Sequence, residues 1–333
     1  MARAMVILGR DARRRRPPVA LTMVAAATSR RAWFRRVATA TIVAVAACGG
    51  GDRAPSSVAV EGVAVASFNF PESRLVAEIY AQALEDEGVQ VRRELDLGPR
   101  ELVMPALRQG LVDVVPEYLG TALAATAPLA TVDRSDPRAV SRGLTAAVAP
   151  WGLQVLPYAR AQNQNGVVVT RATADRLDLA AVSDLGPTAS TMTIGGPPEC
   201  PSRRYCLVGL TDAYSLRFPS FEPFERETFV GRALEDDVID VGVMFTTDGA
   251  LAGDELVLLD DDRGLQPAEN LVPIVRSEVL DREGEPLATA LGEVSAHLTT
   301  ANLRFMNWRV TVAGNDPAAE ARGWLVRQGL VDR

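Results

Sequence analysis

The chain has 333 residues, 47% of them hydrophobic, enough for two mid-sized domains that each bury a core. All 35 basic residues are Arg, and ten of them precede residue 48 against one acid, Asp11; the remainder holds 25 Arg and 41 acids, a net charge of −16. That sign disfavours nucleic acid, whose phosphates need basic contacts, and no run of about twenty apolar residues offers a membrane-spanning helix.

At the N-terminus, Arg30, Arg31, Arg35 and Arg36 form a basic region, followed by a short apolar run from Val37 to Ala47. The run ends in Val45-Ala46-Ala47-Cys48 and then Gly49-Gly50-Gly51. It is long enough for a signal-peptide core and too short to span a bilayer. The segment resembles the bacterial lipobox, which implies a signal peptide over residues 1–47, a lipidated Cys48 and a flexible tether over 48–57. Ser29-Arg30-Arg31-Ala32-Trp33-Phe34 resembles a twin-arginine export signal. Both export routes, and both Met1 and Met23 as starts, stay open at this point.

From Val58 onward strands and helices alternate. Val58, Val60, Val63 and Val65 predict a first strand, and Pro71-Glu72-Ser73 opens a helix whose apolar residues recur from Leu75 to Leu84 until Gly88 stops it. Val89 and Val91 begin a second strand. Gly98-Pro99 turns into a helix that reaches Gln109, with Gly110 at its end, and Leu111 to Val115 reads as a short buried strand. This alternation predicts an α/β fold with mainly parallel sheets.

One internal echo stands out. Ala106-Leu107, three residues, then Leu111-Val112-Asp113-Val114 matches Ala233-Leu234, three residues, then Val238-Ile239-Asp240-Val241. Each is a helix end, a tight turn and an apolar strand. The strands are followed by Glu117-Tyr118 in one copy and by Phe245-Thr246-Thr247-Asp248 in the other. Two similar lobes, each offering a strand end to a shared cleft, account for this pattern, since open α/β sheets bind ligands beyond the carboxyl ends of their strands. Asn165 to Thr170 and Leu256 to Leu259 are the stretches expected to carry the chain between the lobes. That places lobe I in 58–165 and 262–333 and lobe II in 166–261, a geometry that permits hinge closure.

Catalytic machinery is missing. The single His, His297, lies on a helix as a packed or surface residue, so no Ser-His-Asp triad is assembled around anything else. No G-x-S-x-G elbow, P-loop or G-x-G-x-x-G follows a strand. Cys200 and Cys206 with one His make a poor zinc set, and in an exported chain they are expected to pair as a disulfide closing a short loop. No metal and no cofactor is called for. A secreted hydrolase using Glu117 and Asp248 as a carboxylate pair is the alternative from another class, and it lacks a nucleophile–base set.

From Phe68 onward the chain resembles the substrate-binding proteins of quaternary-amine (glycine betaine, choline, carnitine) ABC importers. The resemblance is carried by Phe70-Pro71-Glu72-Ser73, Leu97-Gly98-Pro99-Arg100 and above all Val114-Val115-Pro116-Glu117-Tyr118-Leu119-Gly120-Thr121. Gln162 to Gly166, Thr246 to Gly249, Leu258 to Asp262, and Leu298 through Asn307 add to it. It implies the two-lobed periplasmic-binding-protein type II fold with two hinge strands and the ligand in the interlobe cleft. It also implies a monomer that hands its ligand to a permease and its ATPase at the outer face of the cytoplasmic membrane, without catalysis.

The residues expected to meet the ligand are Ser73, Arg100, Tyr118, Thr121, Asn165, Phe245, Thr246 and Asp248. By the resemblance Tyr118 occupies an aromatic-cage position, where ring faces hold a cation with no N–H to donate, and Thr121 a hydrogen-bonding one. The family's other cage tyrosines fall on Val167, Gly231 and Ala268, with Phe68, Phe70, Tyr205, Tyr214 and Phe245 as the aromatics open to rebuild the cage from new positions, and Arg100 stands where a small hydroxyl residue is usual. Tyr118 and Arg100 are expected to face Phe245 and Asp248 across the cleft. That arrangement suits a zwitterion, with Arg100 for its carboxylate and Tyr118 with Asp248 for its cation. An Arg100 that only pairs with Glu101 or Asp96 at the helix start, and a different amino-acid-like or anionic ligand, are the readings left open.

Overall fold

The computed structural model describes residues 62–128, 131–224 and 227–332. Cys48 and the segments expected to be leader and tether, residues 1–57, lie outside the described residues. Among the described residues no helix is long and apolar enough to cross a membrane.

Two five-stranded mixed sheets carry the chain. The first contains β1 (Val63–Ala66), β2 (Val91–Glu94), β3 (Val114–Tyr118), β4 (Leu153–Val155) and β10 (Leu271–Arg276), in the order β2-β1-β3-β10-β4. The second contains β5 (Asn165–Thr170), β6 (Thr193–Gly196), β7 (Ser220–Pro223), β8 (Val241–Phe245) and β9 (Leu256–Leu258), in the order β7-β6-β8-β5-β9. Strands β2-β1-β3 and β7-β6-β8 are parallel, as alternation predicts. The remaining pairs are antiparallel: β10 with β3 and β4, and β5 with β8 and β9. The expectation of mainly parallel sheets is therefore corrected. Strands β3 and β8 end near the crossings between the sheets, whereas β10 and β5 have just left them, so they run the opposite way.

Helices cover both faces of the first sheet. In β1 the side chains alternate: Val63 and Val65 enter one core with α1 (Pro71–Asp86), α9 (Glu285–His297) and α11 (Pro317–Gln328). Ala64 and Ala66 enter the other with α2 (Arg100–Arg108), α3 (Leu119–Thr126) and α4 (Pro137–Val148). The second sheet repeats the arrangement. Val167 and Val169 pack with α6 (Leu207–Tyr214) and the loops around Leu185, and Val168 packs with α7 (Glu227–Glu235). The short helices α5 (Arg171–Leu177) and α8 (Ser277–Glu283) follow β5 and β10, and α10 (Thr300–Thr311) runs between α9 and α11.

The repeated segment occupies matching places in the two sheets. Gly110 and Asp237 both take left-handed backbone conformations, and the amides of Leu111 and Val238 bond to the carbonyls of Ala106 and Ala233 at 2.9 and 2.8 Å. Asp113 Oδ2 accepts from the Ala64 amide of β1, and Asp240 Oδ2 from the Thr193 amide of β6. Leu111, expected to be buried, is 61% exposed and Val238 60%, because the turn holds each beyond the sheet and the strand begins three residues later. Asn165–Thr170 and Leu256–Leu258 both lie inside the second sheet. The crossings run just outside them, where Gln162 bridges Asn270 in antiparallel fashion and the Asn163 amide bonds to the Glu269 carbonyl at 3.1 Å.

Candidate ligand-binding site

The loop after β1 and the end of β3 build an aromatic row. Phe68 stacks on Phe70 at 6.0 Å between ring centroids, and Phe70 on Tyr118 at 6.3 Å. Ser73 is buried and its hydroxyl accepts from the Phe68 amide at 2.9 Å, so it fixes the loop that carries this row. Arg100, at the first turn of α2, lies over Phe68 with its guanidinium carbon 5.2 Å from the ring centre. Its Nε and Nη2 donate to the two carboxylate oxygens of Glu117 at 2.7 and 2.9 Å, and Nη2 also reaches Thr121 Oγ1 at 3.1 Å. Burial opposes the charge of Arg100, but the neighbouring Glu117 carboxylate outweighs it and the guanidinium is held above its ordinary range.

Glu117 is fully buried, and its Oε2 also accepts from the Tyr118 amide. Glu269, on the returning crossing, accepts from the amide and hydroxyl of Thr121 at the start of α3, at 3.1 and 3.3 Å. Burial pushes its carboxyl up to about 7, against the opposing pull of the Thr121 bonds and Arg100. Gly120 has no room for a side chain here: a Cβ would stand 2.9 Å from the Ala268 carbonyl and from Glu269 Oε1.

On the other side of Tyr118 lies a third buried carboxylate, Glu72 of α1. It accepts from the Tyr118 hydroxyl at 2.6 Å, from Asn163 Nδ2 at 2.8 Å and from Asn307 Nδ2 at 2.6 Å. Burial first, and then Glu72, raise the Tyr118 hydroxyl well above its usual range, so it stays protonated as the donor. Asn307 also donates to the Thr247 carbonyl at 2.8 Å, and Arg304 gives Nε and Nη2 to the Thr246 carbonyl at 3.0 and 2.7 Å. Helix α10, packed in the first lobe, thereby holds the segment that follows β8 in the second. Asp248 is buried there, accepts from the Ala250 amide and has its carboxyl raised, chiefly by burial.

A cavity of about 300 Å³ adjoins the crossings on the second lobe, lined among others by Gln164, Asn165, Tyr214, Thr246, Asp261 and Gln266. Asn165 Nδ2 and Gln266 Nε2 both donate to the Tyr205 carbonyl at 3.0 Å. Cys200 and Cys206, the latter directly after Tyr205, are joined by a disulfide. Among the described residues no group of three or more His, Cys, Asp or Glu could hold a metal ion.

The structure thus gathers Arg100, Tyr118 and Thr121 in one cluster, and connects Tyr118 to Thr246, Thr247 and Asp248 through Glu72, Asn307 and α10. Phe245 pairs with Asn165 in the sheet. Two expectations are corrected. Arg100 pairs with neither Glu101 nor Asp96, because its Nε and Nη2 are taken by the two oxygens of Glu117, and these two groups are not left open for a ligand carboxylate. The carboxylates of Glu117 and Asp248 form no catalytic pair, since one neutralises Arg100 and the other caps a turn. Val167 and Ala268 are buried in the cores, and a Cβ on Gly231 would stand 3.2 Å from that of Ala250. Glu72, Asn163, Glu269 and Asn307 were missed as site residues. The signal for Glu269 is in the sequence, as a carboxylate two residues before the apolar run of β10.

Residues 61–327 match the family described as the substrate binding domain of ABC-type glycine betaine transport systems. A glycine-betaine-binding protein of Pseudomonas aeruginosa is 28% identical over 282 residues, which cover 82% of this chain and 89% of that protein. Among solved structures, a glycine betaine/carnitine/choline ABC transporter protein aligns with a TM-score of 0.75 at 21% identity, over 81% of this chain and all of that one. Apo YehZ from Escherichia coli aligns with a TM-score of 0.69 at 25% identity, over 81% of this chain and 99% of that one.

Proposed function

Because the chain belongs to the family of substrate-binding domains of ABC-type glycine betaine transport systems, we propose that it captures a small quaternary-ammonium compound between its lobes and presents it to an importer. The family binds and releases solutes outside the cytoplasm and is not enzymatic. The observation that carries the ligand class is the row Phe68, Phe70 and Tyr118 beside the buried carboxylates of Glu72 and Glu269. Ring faces and nearby negative charge favour a permethylated cation, which offers no N–H for a hydrogen bond. Lobe closure around the ligand would be the form an importer recognises.

The test is a thermal-shift screen of glycine betaine, choline and carnitine against amino acids and polyamines. A true ligand at a hundred times its dissociation constant adds about 2.7 kcal/mol of stability. A response confined to amino acids or polyamines would remove the quaternary-ammonium assignment.

The same proposal includes a monomer held at the outer face of the cytoplasmic membrane by a lipid on Cys48, working with a permease and an ATPase. Its support is the order of basic region, apolar run, small residues and Cys. Cys48→Ala should release the protein from the membrane fraction or leave it unprocessed. A variant that is processed and fractionates like the wild type would refute the anchor.

A further inference from the structure

We infer that this site discriminates by net charge and takes a cationic quaternary alcohol such as choline in preference to a zwitterion such as glycine betaine, because the arginine beside its aromatic row is engaged by Glu117 while Glu72 and Glu269 have only neutral partners. The inference rests on the quaternary-ammonium reading above. The two compounds share a trimethylammonium head and differ in whether a hydroxyl or a carboxylate follows it, so the groups facing the second part decide between them.

The cationic side of the balance is small. Arg100 spends Nε and Nη2 on Glu117 and Thr121 and lies on the Phe68 ring. Drawing it toward a ligand would strip Glu117, which is 0% exposed, of its counter-ion, and an uncompensated buried charge is strongly unfavourable. Arg304 is the other arginine bonded into this network among the described residues, and its Nε and Nη2 both go to the Thr246 carbonyl.

The anionic side is larger. Glu72 is satisfied by a phenol and two amides, and Glu269 by a hydroxyl and a backbone amide, all of them neutral donors. Neither carboxylate forms an ion pair among the described residues. Asp248 adds a third, raised by burial and by Glu72. These groups attract a bare cation and repel a ligand carboxylate, and their burial keeps the field from being screened as it would be at the surface.

The balance has a pH signature. Burial lifts Glu269 to about 7, with Thr121 and Arg100 lowering it and Glu117 raising it. A bound cation stabilises the ionised form, so cation affinity should rise as pH increases through about 7. For a ligand carboxylate placed there the dependence reverses.

Calorimetry of the purified chain with choline and with glycine betaine, at pH 6 and pH 8, tests the inference. Choline should bind tighter by about tenfold or more at pH 8, and the ratio should shrink at pH 6. Glu269→Gln should weaken choline several-fold and flatten its pH dependence. Glycine betaine binding as tightly as choline, or tighter, overturns the inference and leaves the quaternary-ammonium reading standing. So does betaine binding that survives Arg100→Gln and fails in Arg304→Gln, which would make Arg304 the carboxylate clamp. Choline affinity indifferent to both pH and Glu269→Gln overturns the charge argument. If neither compound binds, the quaternary-ammonium reading falls and the inference with it.

Discussion

Arg100 and Glu117 show how much of a binding site is decided by which partner reaches a charge first. The pair is held by two short bonds, one of its members is fully buried, and the aromatic face of Phe68 lies beneath the other. Arg100→Ala should therefore cost on the order of 3–5 kcal/mol in urea unfolding, whereas replacing both residues together by Met and Leu should cost far less. A single variant no more destabilised than the double would show that the ion pair is dispensable. Glu269 makes a second prediction. Its folded carboxyl titrates near 7, above its ordinary value, so the folded state binds the extra proton between about pH 4.5 and 7. Stability should thus be full below that window and fall as pH rises through it, by up to roughly 3 kcal/mol, and level off above it. In Glu269→Gln the loss should vanish. Melting curves from pH 4 to 9 on both proteins check the sign, and a wild type that gains stability over that range would contradict it.

At the scale of elements, the repeated turn was legible in the sequence because its parts are local. A left-handed residue at the helix end, an amide returned to the helix and an aspartate three residues into the new segment are all set within eight residues. Asp113→Ala should cost about 2–3 kcal/mol, since it strands the Ala64 amide in a buried place and also releases Arg276, 3.2 Å from Oδ1. Asp240→Ala, at an exposed position with only the Thr193 amide to lose, should cost about 1 kcal/mol or less. Equal losses in chemical denaturation would show that burial does not separate the two copies. What the sequence hid is long-range. Glu269 meets Thr121 across 148 positions and Asn307 meets Glu72 across 235, and no periodicity encodes such pairings. The antiparallel return strands were hidden for the same reason, because direction follows from where the chain re-enters a lobe. The closure of Cys200 on Cys206, six positions apart, is local again. Replacing both by Ala should lower stability by about 2 kcal/mol, the loop-closure value for so short a ring, and the alkylated, unreduced protein should show no free thiol from either residue.

For the whole molecule, the two crossings are not all that ties the lobes together. Helix α10 belongs to the first lobe by packing, yet Arg304 and Asn307 hold the carbonyls of Thr246 and Thr247 in the second. Gly249 makes this approach possible, because a Cβ there would stand 2.6 Å from the backbone of Trp308. Gly249→Ala should push the segment off α10 and change the open-to-closed balance, read as a shift in the radius of gyration with and without ligand by small-angle scattering. Identical profiles for variant and wild type would mean that α10 moves freely of the second lobe. The consequence concerns leverage. A bend at the crossings alone would let the second lobe swing with α10 as a bystander. With α10 clamped to the residues just past β8, the fulcrum shifts onto that contact. The arc travelled by the far rim of the second lobe then depends on the few ångströms between Asn307 and Thr247, and a displacement at the buried Glu72 carboxylate, relayed through Asn307, is magnified along the length of the lobe.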